Sequence, residues 1–288
     1  MQTNKEVSVM TTFNIKDWSS WDQAWQQAHK QHGDQAISMW DSRAQSFAGN
    51  ALGNAGKRRT EQVIGWLDQL GVRFEDAKVL DIGSGPGAFA VPFALRSAQV
   101  TAVEPSSSMI ELLHQHAHSH GVAIEAVEAL WEDINVDHEG WNQAFDLVFA
   151  SMIPAISSWE YLEKALKCAR KYCFLSTFAG KREHNLIREL WPLLMGGEQP
   201  AMRLDIVYML NLLYARQYQF DFRVFEEKRE DTMAPEEALA YIMQLLPGFR
   251  IPIHADTKQK VQSYIAETYP DAVPIRTATR FGHILVSL

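Results

Sequence analysis

The chain has 288 residues, of which 47% are apolar and 22% charged, with a formal net charge of −8. That apolar content suffices for a full core, and the length fits one large domain or two small ones. The negative charge argues against a nucleic-acid or anionic-membrane surface, since either needs clustered Lys and Arg.

The first 30 residues are polar and hold no apolar run of the signal-peptide kind. No run of about 18 apolar residues follows anywhere, so no transmembrane helix is expected. The two cysteines, Cys168 and Cys173, show neither metal nor disulfide-framework spacing, which makes a reducing cytoplasm the expected compartment. Trp18, Trp21 and Trp25 recur at i, i+3 and i+7, one helix face for packing in the core or against a second subunit. A second helical piece covers Ile37–Phe47. The polar, Gly-containing stretch Ala48–Lys57 reads as a break. Thr60 reads as the cap of a helix that ends at Leu70, before Gly71.

From Lys78 onward, strands and helices alternate. Strands are expected at Lys78–Ile82, Gln99–Glu104, Ala123–Glu128, Phe145–Ser151 and Tyr172–Ser176, with helices at Ala88–Arg96, Ser107–His118 and Trp159–Lys171. This rhythm predicts a mostly parallel sheet covered on both faces, with a ligand at the carboxyl ends of its strands. Arg182–Gln217 reads as two helices around a turn at Gly196-Gly197 and Pro200. A strand at Phe220–Arg229, a helix opening within Asp231–Glu237, a helix at Thr257–Thr268 and a final strand at Thr279–Leu288 complete the pattern. No linker or repeat interrupts it. The expectation is a single domain over 1–288: an N-terminal helical cap (1–56), a core (57–178), a helical lid (179–218), and a sheet-completing part with inserted helices (219–288).

The most discriminating stretch is Val79–Gly87, where an apolar run ends in Asp81 and then turns through Gly83, Gly85 and Gly87. Glycines let the backbone turn tightly and approach a ligand closely. A carboxylate at Asp81 would repel a pyrophosphate and attract a cationic amine. Glu104 ends the next strand, 21 residues beyond Gly83, where a carboxylate can accept both hydroxyls of a ribose.

These residues resemble the class I methyltransferases that use S-adenosylmethionine (SAM), of the small-molecule type. The acid-x-Gly-x-Gly-x-Gly pattern sits at Asp81–Gly87, Glu104 is followed by Pro105-Ser106-Ser107-Ser108-Met109, and the fourth strand reads Phe145–Ser151, in that order and at normal spacing. The resemblance implies an α/β fold with a seven-stranded, doubly wound sheet in the order 3-2-1-4-5-7-6, its last strand antiparallel. It implies cofactor contacts at Asp81, Gly83, Ser84, Gly85 and Gly87, at Glu104, Pro105 and Met109, and at Ser151. Arg43 and Phe47 are similar to the segment that closes over SAM in such proteins, with Arg43 as its anchor. The position after the third strand where relatives carry an acid is Leu130 here. The adenine edge then falls to Leu130 and Trp131, with Glu132 or Asp133 as a replacement acid.

For the acceptor, the fourth strand runs into Ser151-Met152-Ile153-Pro154 rather than the Asn/Asp-Pro-Pro-Tyr/Phe of amino-group methylases. Met152, Pro154, Asn185, Trp191, Tyr208 and Tyr214 are the expected pocket for a partly apolar small molecule, with His184 as the candidate base. His114, His116, His118 and His120 occupy two helix faces, so no metal site is expected. The expected reaction is methyl transfer by proximity and orientation, in a monomer or homodimer whose product is S-adenosylhomocysteine (SAH). Two other readings stand beside it. One is a non-catalytic SAM-binding module. The other is a nicotinamide-dependent oxidoreductase, since Gly83-x-Gly85-x-x-Ala88 matches that fingerprint formally.

Overall fold

A computed structural model describes residues 17–30, 37–180, 182–199 and 205–288. Residues 1–16, Pro200 and Met202 lie outside them. The chain divides into two compact units. Unit 1 comprises the chain up to Phe174 together with Val207–Asp221 and Leu285–Leu288; unit 2 comprises Leu175–Ile206 and Phe222–Ile284. The stretch 179–218, read from sequence as one lid, is thus shared between the two.

Unit 1 opens with three helices: α1 (Trp18–Lys30), α2 (Ile37–Ala51) and α3 (Asn54–Gln69). The alternating core follows, with β1 (Lys78–Ile82), α4 (Ala90–Ala94), β2 (Gln99–Glu104), α5 (Ser107–Ser119), β3 (Glu125–Glu128), β4 (Phe145–Ser151), α6 (Trp159–Cys168) and β5 (Ala169–Phe178). Beyond it come β6 (Glu183–His184), α7 (Asn185–Leu194), α8 (Val207–Ala215), β7 (Gln219–Met233), α9 (Pro235–Leu245), α10 (Thr257–Thr268) and β8 (Val273–Ser287). The strand ranges carry β5, β7 and β8 through both units.

The sheet order is β3-β2-β1-β4-β5-β8-β6, with β7 pairing on β8. β1 is parallel to both β2 and β4, with Asp81 opposite Ala102 on one side and Phe149 on the other. The expected order holds, but the sheet has eight strands rather than seven. The addition is β6, antiparallel to β8 through Glu183–Ala278 and His184–Thr277. The cause is next to it: the Asn185 amide donates to Pro274 O and accepts from Arg276 N, both at 2.8 Å, which fixes this turn to the β8 backbone.

β1 and β4 are apolar and buried on both faces, as central parallel strands must be. Phe149 stacks on Phe174 at 4.5 Å between ring centroids and meets Phe93 edge-on at 5.1 Å. Burial of each such ring contributes roughly 2 kcal/mol.

Several boundaries differ from expectation. α2 and α3 run almost into each other, because Gly56 lets their ends touch: a Cβ there would lie 1.9 Å from Ala51 O. Thr60 therefore lies inside α3, where its hydroxyl donates to Ala88 O. α6 ends at Cys168, and Ala169–Lys171 join β5, since Arg170 and Lys171 both pair with Asp146 on β4. β7 extends through Asp231–Met233, so α9 starts at Pro235. The tryptophan stripe packs within unit 1. Trp25 is buried, and Trp18 and Trp159 flank the Arg216 guanidinium at 4.8 and 4.6 Å.

Candidate functional site

Unit 1 gathers its acids at the carboxyl ends of β1 and β2. Asp81 is 3% exposed. Its carboxylate accepts from the Ala90 N–H, while Oδ2 has no partner. Burial, and then the charge of Glu104, push Asp81 up to about 8. Ser84 Oγ is likewise buried with no partner. Glu104 accepts from Gly85 N at 2.9 Å and from Ser106 N at 3.0 Å. Its pKa is raised by burial, against the lowering effect of those two bonds.

The glycine loop acts here through its shape. Gly83 and Ser84 donate their N–H groups to Val103 O, Gly85 donates to Glu104, and Gly87 donates to Ser84 O. These N–H groups are thus already matched within the chain. Gly83 has φ +70°, and a Cβ on it would lie 2.4 Å from Ile153 Cγ2. Met152, just before, takes the left-handed φ of 59°, a local strain at the end of β4 of the kind found where a site dictates backbone.

Phe47 approaches this loop from α2: a Cβ at Gly85 would lie 3.6 Å from its Cε1. Phe47 itself is 41% exposed and meets Trp40 edge-on. The expected anchor of this segment, Arg43, is exposed. The anchor is Asp41, whose Oδ1 accepts from Ser106 Oγ at 2.6 Å. Ser106 also caps α5 through Met109 N, and the Met109 side chain is buried.

After β3, Leu130 is 38% exposed, while Trp131 is buried and its Nε1 donates to Tyr161 O. Lys164 holds this turn by donating to the carbonyls of Trp131, Glu132 and Ile134, with its Nζ also over the Trp131 ring. The Trp131 ring is thus a core anchor, and Leu130 is the side chain left accessible. Glu132 and Asp133 are exposed.

The acceptor candidates separate. In unit 1, Ser151, Met152 and Tyr208 are partly buried, Pro154 is exposed, and Tyr214 is 79% exposed. In unit 2, Asn185 is occupied by the β8 backbone, and Trp191 lies in an apolar cluster with Leu186, Ile242 and Val261. His184 is 5% exposed with neither ring nitrogen hydrogen-bonded, and burial followed by the Arg182 charge hold it down at about 4. A ring so held is a poor proton acceptor near neutrality.

Asp41, Ile153 and Lys164 went unread in the sequence. Each acts through a partner distant along the chain, so no local pattern marks it. His116 donates from Nδ1 to Pro86 O, which supports the loop from below, and no group of metal-ligating residues occurs among the described residues. Nor is any described helix long and apolar enough to cross a membrane.

The unpartnered Asp81 oxygen, the second acid at Glu104 and the side-chain-free curve of the loop fit a ligand with a cationic amine and a ribose. Residues 79–173 match the family model described as a methyltransferase domain. An uncharacterized protein of Haemophilus influenzae is 27% identical over 210 residues, covering 69% of this chain and 73% of its own. A ubiquinone biosynthesis O-methyltransferase of Haemophilus ducreyi is 33% identical over 72 residues, covering 25% of this chain and 30% of its own. Among solved structures, the YcgJ protein of Bacillus subtilis aligns with a TM-score of 0.49 and 14% identity, over 80% of this chain and 98% of its own. Residues 79–173 thus carry a methyltransferase domain, on a sheet whose order is the one expected of the class I, Rossmann-like members.

Proposed function

We propose that the chain is a SAM-dependent methyltransferase that acts on a small, partly apolar molecule in the cytoplasm, as a monomer or homodimer, and needs no dedicated base. The observation that carries the cofactor end is Asp81, a buried carboxylate with an unmet hydrogen bond beside Glu104. In this reading Asp81 and Ser84 hold the methionine end, Glu104 holds the ribose, and Met109 and Leu130 border the adenine. SAM supplies a methyl group activated by its sulfonium. Phe47 excludes water from the loop it covers, and the partly buried Met152 and Tyr208 offer apolar surface to the acceptor. His184, held neutral, is left out of proton transfer; alignment of the acceptor supplies the rate.

The net charge of −8 supports a small molecule over nucleic acid. The acids that favour a cationic ligand disfavour the pyrophosphate of a nicotinamide cofactor. Calorimetric titration with SAM, SAH and NAD tests the cofactor: SAM and SAH bind, NAD does not, and Asp81→Ala weakens both sulfur ligands. Incubation with methyl-labelled SAM and a cell extract tests the acceptor. Label in the small-molecule fraction is expected. Label in protein or nucleic acid would overturn the acceptor class, and no turnover with intact SAM binding would favour a regulatory module.

A further inference from the structure

Unit 2 carries a cation that no acid answers among the described residues. Arg182 lies just before β6, its guanidinium 4.6 Å from the centroid of the Phe249 ring and 5.7 Å from that of Phe178. Among the described residues it has no ion pair and no hydrogen bond; its contacts are these two rings and the charge interactions with Tyr241 and His184. The neighbouring charges on β7 cancel each other, since Arg229 pairs with Asp231 at 2.8 Å. Two further polar groups face the same spot. His184 stacks near Tyr241 at 5.8 Å and meets Phe249 at 6.2 Å, and neither of its ring nitrogens has a partner. Tyr241 is partly buried on α9 with no hydrogen bond among the described residues.

The local sequence builds this cluster firmly. The Asn185 amide locks the turn to β8, and α7 and α9 pack their apolar faces into one core through Leu186, Leu190, Ala238 and Ile242. A partly buried guanidinium costs free energy unless it meets acceptors. Its planar fork of five donors matches a carboxylate or a phosphate in two parallel bonds. Two aromatic faces hold the fork in place, so little motion is lost when an oxyanion docks.

We propose that Arg182, with Tyr241 and His184 beside it and Phe178 and Phe249 as walls, is a binding site for the oxyanion group of a small organic molecule, a carboxylate or a phosphate monoester. The site rests on unit 2 alone and goes beyond the methyl-transfer reading.

The test titrates the full chain with inorganic phosphate and, separately, with benzoate, against chloride at equal ionic strength. The Arg182 Nε–H resonance and calorimetry report binding. Saturable binding of at least one probe is expected. Arg182→Met, which keeps the stem against the rings, weakens it about tenfold or more. Arg182→Lys retains part of it. SAH affinity stays unchanged in both variants, so a failure here is separate from any failure of the cofactor reading. Saturation by phosphate alone identifies a phosphoryl ligand, by benzoate alone a carboxylate, and by both a general oxyanion site. No saturation above chloride overturns the proposal, as does saturation that Arg182→Met leaves intact. Should that variant not fold, an Arg182 resonance in the natural chain that ignores both probes overturns it equally.

Discussion

The Asp81–Gly87 loop and the Arg182–Asn185 turn each bury a titratable side chain with an unmet hydrogen bond, in opposite electrostatic surroundings. At the loop, Asp81 faces a second acid, Glu104, and its carboxyl is pushed up to about 8 by burial and then by that charge. At the turn, His184 lies among aromatic rings beside Arg182, and burial and that cation hold it down at about 4. The loop therefore favours a cationic ligand, which would relieve the repulsion between its acids. The turn favours an anionic one, and it keeps the histidine neutral. An unpartnered buried group becomes informative only together with the charge around it.

Gly83→Ala breaks the loop and spares the turn. Its φ of +70° and a Cβ 2.4 Å from Ile153 Cγ2 leave no room. The substitution should cost roughly 2–4 kcal/mol of stability and abolish SAH binding, as read by denaturation and calorimetry. Retained SAH affinity would show that the loop does not shape the cofactor site.

Asn185→Leu does the reverse. It removes both 2.8 Å bonds to β8, with an expected loss of about 2–3 kcal/mol in urea unfolding and unchanged SAH affinity. If SAH binding fell with stability fully retained, Asn185 would have a role in the site beyond its clamp.

The pH profile sharpens the contrast, because the two groups tilt it in opposite senses. Asp81 keeps its proton in the folded chain after the unfolded chain has lost it, so its contribution falls as pH rises from about 4 to about 8. His184 stays neutral in the folded chain while the unfolded chain takes up a proton, so its contribution falls as pH drops from 6.5 toward about 4. Asp81→Asn should flatten the alkaline limb and weaken SAH about 10- to 100-fold. His184→Leu should flatten the acid limb and leave SAH binding alone. Urea unfolding across pH 4 to 9 checks both, and a shared change in one limb would refute the separation.

The smallest effect is expected at Phe47, which covers the loop from an exposed position. Phe47→Ala should weaken SAH by about 1 kcal/mol, roughly fivefold, with stability within 0.5 kcal/mol. No change in affinity would remove Phe47 from the cofactor site.

Much of this was legible in the chain. A buried parallel strand is a continuous apolar run, so β1, β2 and β4 stand out, and the turn after β1 is written in glycines. Other features depended on partners far along the chain. Asp41, rather than Arg43, anchors α2 because Ser106 lies opposite it, 65 residues away. Trp131 reads as an adenine shield until Lys164 and Tyr161 are seen to hold it in the core. Asn185 reads as a polar contact for the acceptor until Pro274 and Arg276 take both ends of its amide.

By itself, the sequence determined the alternation of strands and helices, the acid-and-glycine loop and the second acid at Glu104, because each follows from local backbone chemistry and the periodicity of burial; the order of the sheet followed from the resemblance those residues carry. Only the tertiary structure decided which polar groups are already matched. Hydrogen bonds and charges between distant segments occupy Asn185, Trp131 and the loop N–H groups, and among the described residues they leave Asp81 Oδ2, both His184 ring nitrogens and the Arg182 guanidinium without a hydrogen bond. Pairing across the chain is set by how the elements pack, which one-dimensional spacing does not encode.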